Sequence, residues 1–364
     1  MPVTRQADRR RKPDALPGFR LTLGVTLFYL CIITLIPLAA LLIQPWSNGF
    51  HGFITILTSP RVLAALKLSF GSAAIAALVN MVFGLLVAWT LTRYRFPFRR
   101  VLDALIDLPF ALPTAVAGIA LSALYAQNGW LGAPLERIGI KVAYTPLGIL
   151  VALVFIGLPF VVRTIEPILA DMSLEAEEAA ATLGATRLQT LARIVLPTLA
   201  PALMTGTTLA FARAVGEYGS VIFIAGNLPR VSEIAPLLIV IRLEEFDYPG
   251  AAAIGVIMLI ASFAILIALN LLQRRLAGRS ALKTSTRRAA EDPVAMRLIC
   301  LAITAAFIIV LLLLPLITVF AQALAKGLGL ALSRIETHDA WTSIRLTLIV
   351  AAISLPLNTL FGIC

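Results

Sequence analysis

Six long apolar runs constrain this chain more than any other feature of its sequence. A helix needs about 20 consecutive apolar residues to cross the hydrocarbon core of a bilayer. Runs of about this length or longer cover 21–43, 66–91, 101–125, 146–165, 198–225 and 249–272. Backbone in lipid must satisfy its own hydrogen bonds, which favours helices. The sequence therefore predicts an all-α integral membrane protein with six spans in residues 21–272.

Composition supports a membrane protein and argues against a nucleic-acid-binding one. Hydrophobic residues make up 60% of the chain, charged residues 13%, and the mean hydropathy is +0.95. The net charge of +11 comes from basic residues clustered at the ends of the apolar runs, where they act as topology signals. The Arg and aromatic residues of 93–100 suit a membrane interface. We expect contact with membrane lipid and none with nucleic acid.

The distribution of Lys and Arg predicts the orientation. If the spans alternate, twenty of the thirty basic residues lie on one side, in 1–20, 93–100, 163–193 and 274–297. The positive-inside rule makes that side cytoplasmic. The first apolar run is longer than the 7–15 residues of a signal peptide core, so it is expected to be retained as a span. The prediction is a multi-pass protein of the bacterial cytoplasmic (inner) membrane with a cytoplasmic basic N-terminus, 1–20.

A polar interruption, EAEEAAATLGATRLQTLARIVLP (175–197), separates the fourth and fifth runs. Ser173 is a candidate cap for a first helix, whose early glutamates suit the positive end of the helix dipole. Gly184 is expected to end that helix in a left-handed conformation, and Thr186 with Gln189 forms a capping box for a second. Leu188, Leu191 and Val195 are predicted to share one face of this second helix. The segment 173–197 is thus predicted to be a compact hairpin in water.

This hairpin resembles the EAA signature of permease subunits of ATP-binding-cassette (ABC) importers. The matching residues are Glu178, Ala179, Ala180, Gly184, Ile194, Leu196 and Pro197. The resemblance implies a six-span importer permease bundle, in which the hairpin docks on an ATPase subunit and transmits its closure to the membrane helices. A generic amphipathic hairpin lying on the membrane is the alternative.

Three further stretches narrow the resemblance to sulfate/thiosulfate permeases of the CysT type. They are DLPFALPTAVAG (107–118), RAVGEYGSVIFIAGN (213–227) and EEFDYPGAAAI (244–254), and the likeness extends over 15–275. Molybdate permeases share the VGE(Y/F)G core, so a molybdate or tungstate importer is the alternative within the class. The resemblance implies an ABC ATPase dimer holding ATP and Mg, a second permease of the CysW type and a periplasmic sulfate-binding protein as partners. This chain is expected to bind no cofactor.

Two prolines near the start of the third run suggest a polar path. Pro109 and Pro113 free backbone groups and bend a helix. Such groups are tolerated in a membrane only where protein or a water-filled cavity receives them. Thr114 and the backbone near Gly118 are therefore candidate pathway groups, although kinked spans also occur without a substrate.

Arg213 and Glu217 are the charged pair of the fifth run. Four residues apart in a helix, they share a face and can pair, and charges inside a membrane are functional candidates. Either Arg213 attracts the anion, or the pair locks helix packing near a periplasmic gate. Tyr218 belongs to the same stretch and is a further candidate for the pathway, gate or close packing.

The end of the chain repeats its beginning. A shift of 278 residues superimposes Pro37 on Pro315, Asn80 on Asn358, and Phe83-Gly84 on Phe361-Gly362 without gaps. Such a repeat indicates a second copy of the permease unit. We expect a cytoplasmic linker at 273–297 and, at 298–364, the truncated start of a unit that resembles the CysW type.

The sequence carries no set of residues for catalysis. It has no Walker A motif, no Ser/His/Asp set and no metal-ligand spacing, and its cysteines stand in apolar stretches. We therefore expect a permease subunit rather than an enzyme, with ATP hydrolysis on a partner chain. A secondary transporter driven by an ion gradient would need ionisable or unwound sites in both halves. A membrane scaffold would not need a partner-shaped hairpin.

Overall fold

A computed structural model describes residues 19–172, 175–277, 294–325, 327–329, 333 and 336–363, and its regular structure is helical. The α-helices are α1 (Phe19–Leu30), α2 (Ile36–Ile43), α3 (Gly49–Leu57), α4 (Pro60–Arg93), α5 (Arg99–Ile106), α6 (Leu108–Ala111), α7 (Thr114–Tyr125), α8 (Gly132–Arg137), α9 (Pro146–Asp171), α10 (Glu175–Thr182), α11 (Arg187–Thr190), α12 (Leu196–Val215), α13 (Val221–Ile224), α14 (Ala235–Glu244), α15 (Tyr248–Ala277), α16 (Val294–Ile308), α17 (Leu314–Leu324) and α18 (His338–Ile363). Seven helical stretches in the described residues are long and apolar enough to cross a membrane. The predicted all-α membrane architecture is confirmed.

The chain forms two compact units. The terminal unit contains α1, α2 and α18, and the bundle unit runs from Gln44 to Lys326. None of the side chains described in α1, α2 and α18 is buried. Their apolar residues suit contact with lipid, since a membrane helix needs no water-facing polar side.

Three wide π-helical turns interrupt otherwise α-helical stretches, and each ends two residues before a proline. The turns are Cys31–Leu35, Leu191–Val195 and Ile309–Leu313, followed by Pro37, Pro197 and Pro315. A proline cannot donate the backbone hydrogen bond that the carbonyl four residues earlier requires. In each turn the residue before the proline donates instead to the carbonyl five residues back. The first and third turns are separated by the same 278 residues as the sequence repeat.

The centre of the bundle unit is formed by α4, α9 and α12, which pack closely through glycines. A Cβ built on Gly84 would lie 2.7 Å from Val161 Cγ1, and one on Gly206 would lie 3.0 Å from Val161 Cα. Small residues at such crossings allow helix backbones to approach closely in membranes. Phe155, Leu91 and other large apolar side chains are fully buried around this centre.

The third apolar run, predicted as one span over 101–125, is broken into α5, α6 and α7. Leu112 adopts an extended conformation (φ −82°, ψ 133°), and α7 begins directly after Pro113. The break follows from proline chemistry, because the residue before a proline is disfavoured in the α region. The predicted bend is confirmed, but the continuous helix is not.

The helix pair α16 and α17 packs within the bundle unit. The Thr90 and Thr304 hydroxyl groups are fully buried and lie 2.9 Å apart, at hydrogen-bond distance. The Phe83 and Phe307 rings stack with their centroids 4.3 Å apart. Residues 294–324 are thus anchored to α4 by a polar and an aromatic contact.

We predict that Gly84→Leu destabilises the bundle unit because the new side chain overlaps Val161. Overpacking of this kind costs about 1–3 kcal/mol, which lowers the melting temperature of a domain this size by roughly 2–4 °C for each kcal/mol. Thermal unfolding in detergent measures the change. Gly71→Leu in the same helix is the control, since a Cβ at Gly71 has no atom within 4 Å. Equal melting temperatures for the two variants would contradict close packing at Gly84.

Candidate functional site

The segment between α9 and α12 is a helical hairpin closed by local hydrogen bonds. The first helix, α10, carries three glutamates in its first turn. Gly184 has φ +81°, and the N–H groups of Gly184 and Ala185 donate to the carbonyls of Ala181 (3.0 Å) and Ala180 (2.9 Å). This pattern is a Schellman cap, in which a left-handed glycine ends a helix. The predicted conformation of Gly184 is confirmed, and Ser173 lies outside the described residues.

The second helix of the hairpin starts at a capping box. The Gln189 backbone N–H donates to Thr186 Oγ1 (3.4 Å), and the Thr186 backbone N–H donates to Gln189 Oε1 (2.9 Å). The sequence prediction for these two residues is confirmed. Two reciprocal bonds fix the direction in which the second helix leaves the turn.

The hairpin presents apolar side chains at its turn and buries others at its base. Leu183 and Leu188 are 88% and 75% exposed, whereas Val195 is 1% exposed. The prediction that Leu188 and Val195 share a face is therefore wrong, because the π-helical turn Leu191–Val195 changes the helical register between them. An exposed pair of leucines on a projecting hairpin is typical of a protein contact surface.

The seven residues of the predicted coupling motif fall on two parts of this hairpin. Glu178, Ala179, Ala180 and Gly184 belong to α10 and its closing turn, with Ala180 buried. Ile194, Leu196 and Pro197 lie where the π-helical turn passes into α12. The motif thus joins the exposed turn directly to a membrane-length helix.

An ion pair ties the hairpin to α4. Arg93 Nη2 donates to Glu177 Oε1 at 2.7 Å, and both side chains are largely buried. The Arg93 guanidinium also lies 5.3 Å from the centre of the Trp89 ring, a cation–π distance. From the sequence, Arg93 is expected to act only as a topology signal, because its partner is 84 residues away along the chain.

Arg213 and Glu217 form the expected pair, but Glu217 lies beyond the fifth helix. Helix α12 ends at Val215, and the side chains pair at 2.5 Å with Glu217 only 2% exposed. The other carboxylate oxygen of Glu217 accepts hydrogen bonds from the Ser220 backbone N–H and hydroxyl group, both at 3.0 Å. Charge-assisted bonds of this kind hold a turn firmly. The arrangement favours the locking role, which the sequence left open beside anion attraction.

The turn of residues 216–220 brings together several predicted pathway residues. A Cβ built on Gly219 would overlap Thr114 Oγ1, so the turn lies against the start of α7. Tyr218, in the same turn, is half-buried, and Pro113 is exposed at the break before α7. A Cβ on Gly118 would overlap the Ser220 carbonyl oxygen, so the backbone at Gly118 packs closely against this turn.

Arg163 is a functional candidate that sequence reasoning missed. Its Nε and Nη2 atoms donate to the two carboxylate oxygens of Asp107 at 2.9 and 2.7 Å. Its Nη1 atom donates to Asp103 (2.6 Å) and Glu166 (2.7 Å). This paired fork is the geometry that guanidinium groups favour with carboxylates. Arg163 therefore fastens α5, the first helix of the broken third span, to α9.

A second missed pair lies at the start of α4. Arg61 donates to both carboxylate oxygens of Glu233, at 2.8 and 2.6 Å, and Glu233 is 1% exposed. The pair joins α4 to the segment before α14. The sequence shows only a single arginine just before an apolar run. Its partner is 172 residues away, so the local sequence does not indicate the pair.

Among the described residues, no group of His, Cys, Asp and Glu side chains is placed to hold a metal ion. Cys31 and Cys300 are free thiols. The arrangement instead combines a polar hairpin, a broken span and buried ion pairs in a helical membrane bundle. These features define a helical membrane protein with several spans.

Comparison with known proteins identifies the family. The family described as "Binding-protein-dependent transport system inner membrane component" matches residues 80–280, which include the hairpin and the 216–220 turn. The chain belongs to this family and is therefore an inner membrane component.

The chain matches individual relatives over most of their length. The chain is 52% identical over 264 residues to the sulfate transport system permease protein CysT of Escherichia coli (strain K12), covering 72% of this chain and 95% of that protein. It is 50% identical over 250 residues to the protein of the same name from Synechocystis sp., covering 69% and 87%. A bacterial ABC transporter involved in the import of the acidic polysaccharide alginate shares the fold, with a TM-score of 0.60 at 18% identity over 71% of this chain and 96% of that one.

We predict that Arg93→Gln loosens the hairpin from α4. Loss of the buried pair with Glu177 should raise hydrogen exchange of the hairpin amides roughly 5- to 30-fold, as local opening becomes easier. Hydrogen–deuterium exchange in detergent measures this rate. Arg95→Gln, at an exposed arginine two residues away, is the control and should leave exchange unchanged. Unchanged exchange in Arg93→Gln would show that the pair does not hold the hairpin.

Proposed function

We propose that this chain is the CysT-type permease subunit of an ATP-driven importer of sulfate or thiosulfate. The observation that carries the proposal is 52% identity over 95% of a sulfate permease, across the hairpin and the broken third span. Anion passage follows alternating access, in which the bundle opens first to one side of the membrane and then to the other. A molybdate or tungstate importer is not favoured, and neither is an ion-coupled secondary transporter, since the family is one of binding-protein-dependent systems.

The hairpin is the proposed contact with a separate ATPase dimer, which carries the ATP and Mg. Leu183 and Leu188 are exposed apolar side chains at its turn, ready to fill pockets on a partner. The carboxylates of α10 add polar specificity around them. Two local caps and the Arg93–Glu177 pair keep the hairpin rigid. A displacement of its turn by the ATPase would therefore also displace its base.

Helix α12 is the proposed route from the hairpin to the anion pathway. It begins at Leu196, beside the coupling residues Ile194 and Pro197, and ends two residues before Glu217. A helix of 20 residues transmits a displacement at one end to the other because its backbone bonds are internal. Movement of α12 would shift the locked 216–220 turn against Thr114 and Pro113 and so open or close the path.

The charge distribution supports the proposed orientation, and the family supports the proposed kind of partners. The basic N-terminus, 1–20, the hairpin and 273–297 are placed in the cytoplasm, where ATP is available. The opposite loops then meet a periplasmic sulfate-binding protein. In this arrangement Arg163, with Asp103 and Asp107, lies toward the cytoplasmic end of the bundle, and the Arg61–Glu233 pair lies toward the periplasmic end.

The chain is proposed to contain one six-span permease unit, 21–272, and the beginning of another at 298–364, joined by 273–297. Most of that linker lies outside the described residues. The proposal is supported by the gapless repeat at 278 residues and by the π-helical turns Cys31–Leu35 and Ile309–Leu313 at the same separation. The second unit resembles the CysW type, so a CysW-type permease is the proposed second half of the pathway.

Uptake into proteoliposomes tests the substrate. Vesicles would hold this chain, the ATPase, the binding protein and a full partner permease. We expect ATP-dependent uptake of labelled sulfate, and we expect vanadate to abolish it. Excess thiosulfate should compete with sulfate, whereas molybdate should leave sulfate uptake unchanged. Uptake of molybdate in preference to sulfate would overturn the assignment, and uptake driven by an ion gradient without ATP would overturn the class.

Gly184→Leu tests the coupling hairpin. The residue has φ +81°, which leucine adopts at a cost of about 1–2 kcal/mol, and the new side chain would project at the docking turn without a clash inside this chain. We expect the variant to insert normally, with ATP-dependent uptake reduced at least tenfold and ATPase activity no longer stimulated by the loaded binding protein.

Gly139→Leu is the matched control for this variant. Gly139 also has positive φ (+82°) and open space around it, but it lies just after α8, away from the hairpin. The two variants impose a similar backbone cost at different places. Normal uptake by Gly184→Leu, or an equal loss in both variants, would count against coupling through the hairpin.

A further inference from the structure

The amide of Asn80 is a polar group without a hydrogen-bond partner among the described residues, at the close crossing of α4 with α9. The side chain is fully buried in the middle of α4, and neither its oxygen nor its nitrogen has a partner among the described residues. A buried polar group without a partner is destabilising. The unpaired amide thus raises the free energy of this packed conformation.

The place where Asn80 lies is built by glycines on the facing helices. A Cβ on Gly157 of α9 would overlap the Asn80 amide nitrogen, and it would lie 3.5 Å from Ala210 Cβ of α12. One turn further along α4, Gly84 in its turn receives Val161 of α9. Asn80 of α4 therefore packs on Gly157 of α9, and Val161 of α9 packs on Gly84 of α4. Because both contacts involve a glycine, the two helices approach closely.

Packing alone does not require an amide at this position. Leucine has the same branched skeleton of side-chain heavy atoms as asparagine, and it would add no polar atoms to this position. Asn80 and its Phe83-Gly84 neighbours also recur at Asn358 and Phe361-Gly362 in the sequence repeat. The amide is thus part of a repeated pattern that places the polar side chain four residues before the glycine.

The crossing lies close to the proposed pathway. Ala210 lies beside Gly157. It is three residues before Arg213 in α12, so Ala210 and Arg213 share a face of that helix. If α12 and α9 part from α4, water in the opened path can accept from and donate to the amide, and an oxyanion can accept from its N–H groups. The amide then gains the hydrogen bonds that it lacks in the packed state.

We propose that Asn80 is a positioning residue of the transport cycle, whose unpartnered amide favours parting of α4 from α9 and α12. This inference rests on the proposed function, because it assumes that the bundle alternates between packed and parted states. An unmade hydrogen bond of this kind changes a two-state equilibrium by about tenfold, equivalent to about 1.4 kcal/mol. The residue acts on the helix crossing and need not touch the anion.

Cysteine accessibility tests the proposal in the full transporter. In a background with Cys31, Cys300 and Cys364 replaced by Ser, Ala210→Cys places a buried thiol at the crossing, where Ala210 is 1% exposed. The rate of reaction with a small water-soluble maleimide reports how often the crossing parts. We expect Asn80→Leu to lower this rate about tenfold and to slow ATP-dependent uptake.

Asn80→Asp is the opposing variant. It has the same shape as asparagine, but a buried carboxyl group gains even more from water, so the thiol should react faster than in the parent. If Asn80 served packing alone, both substitutions would loosen the crossing and both would raise the rate. Met81→Leu, a swap of similar volume in the same helix, is the control and should leave the rate unchanged.

The outcomes separate this proposal from the proposed function. An unchanged or faster reaction in Asn80→Leu overturns the role of Asn80, even if the parent imports sulfate normally. A slower reaction in Asn80→Leu with a faster one in Asn80→Asp supports it, even if the parent prefers another anion. The thiol measurement needs no transported anion, so an error in the substrate does not affect it.

Discussion

The close approach of α4, α9 and α12 is the contact on which the rest of the bundle depends. Lipid gives helices no hydrophobic reason to associate, so their contact must come from packing and internal polar bonds. The glycines at 84, 157 and 206 provide that packing by letting backbones meet. The hairpin, the 216–220 turn and the broken third span are all attached to one of these three helices, and their positions are fixed relative to each other through this crossing.

Polar connections fasten neighbouring segments to the edges of this centre. Arg163 holds α5 to α9, Arg93 holds the hairpin to α4, and Glu217 holds the end of α12 to its own following turn. In each case an ionised group satisfies the opposite charge or backbone N–H groups, as burial in a low-dielectric interior requires. These pairs lie near the ends of helices, whereas Asn80 lies in the middle of α4.

Local features of the sequence were predictable, and long-range pairs were not. Gly184 and the Thr186–Gln189 capping box were predicted correctly because their hydrogen bonds join residues close in sequence. The bend at Pro113 followed from the chemistry of one residue. Arg163 and Asp107 are 56 residues apart, and nothing in their local sequence names the partner. The single-face prediction for Leu188 and Val195 failed because a π-helical turn between them alters the period on which such arguments rest.

The recurrence of that turn points to a local feature that the three segments share. Cys31–Leu35 contains no buried residue, whereas Leu311 and Leu312 within Ile309–Leu313 are buried. The same wide turn thus forms in two different surroundings, so packing does not impose it. What the two segments share is a proline two residues after the turn, and Leu191–Val195 shares it as well. The missing N–H of the proline is thus a shared local contribution but not a sufficient cause, since Pro159, Pro167, Pro201 and Pro356 lie inside helices without such a turn. At the base of the hairpin the turn contains Ile194 and leads directly into Leu196 and Pro197 of α12.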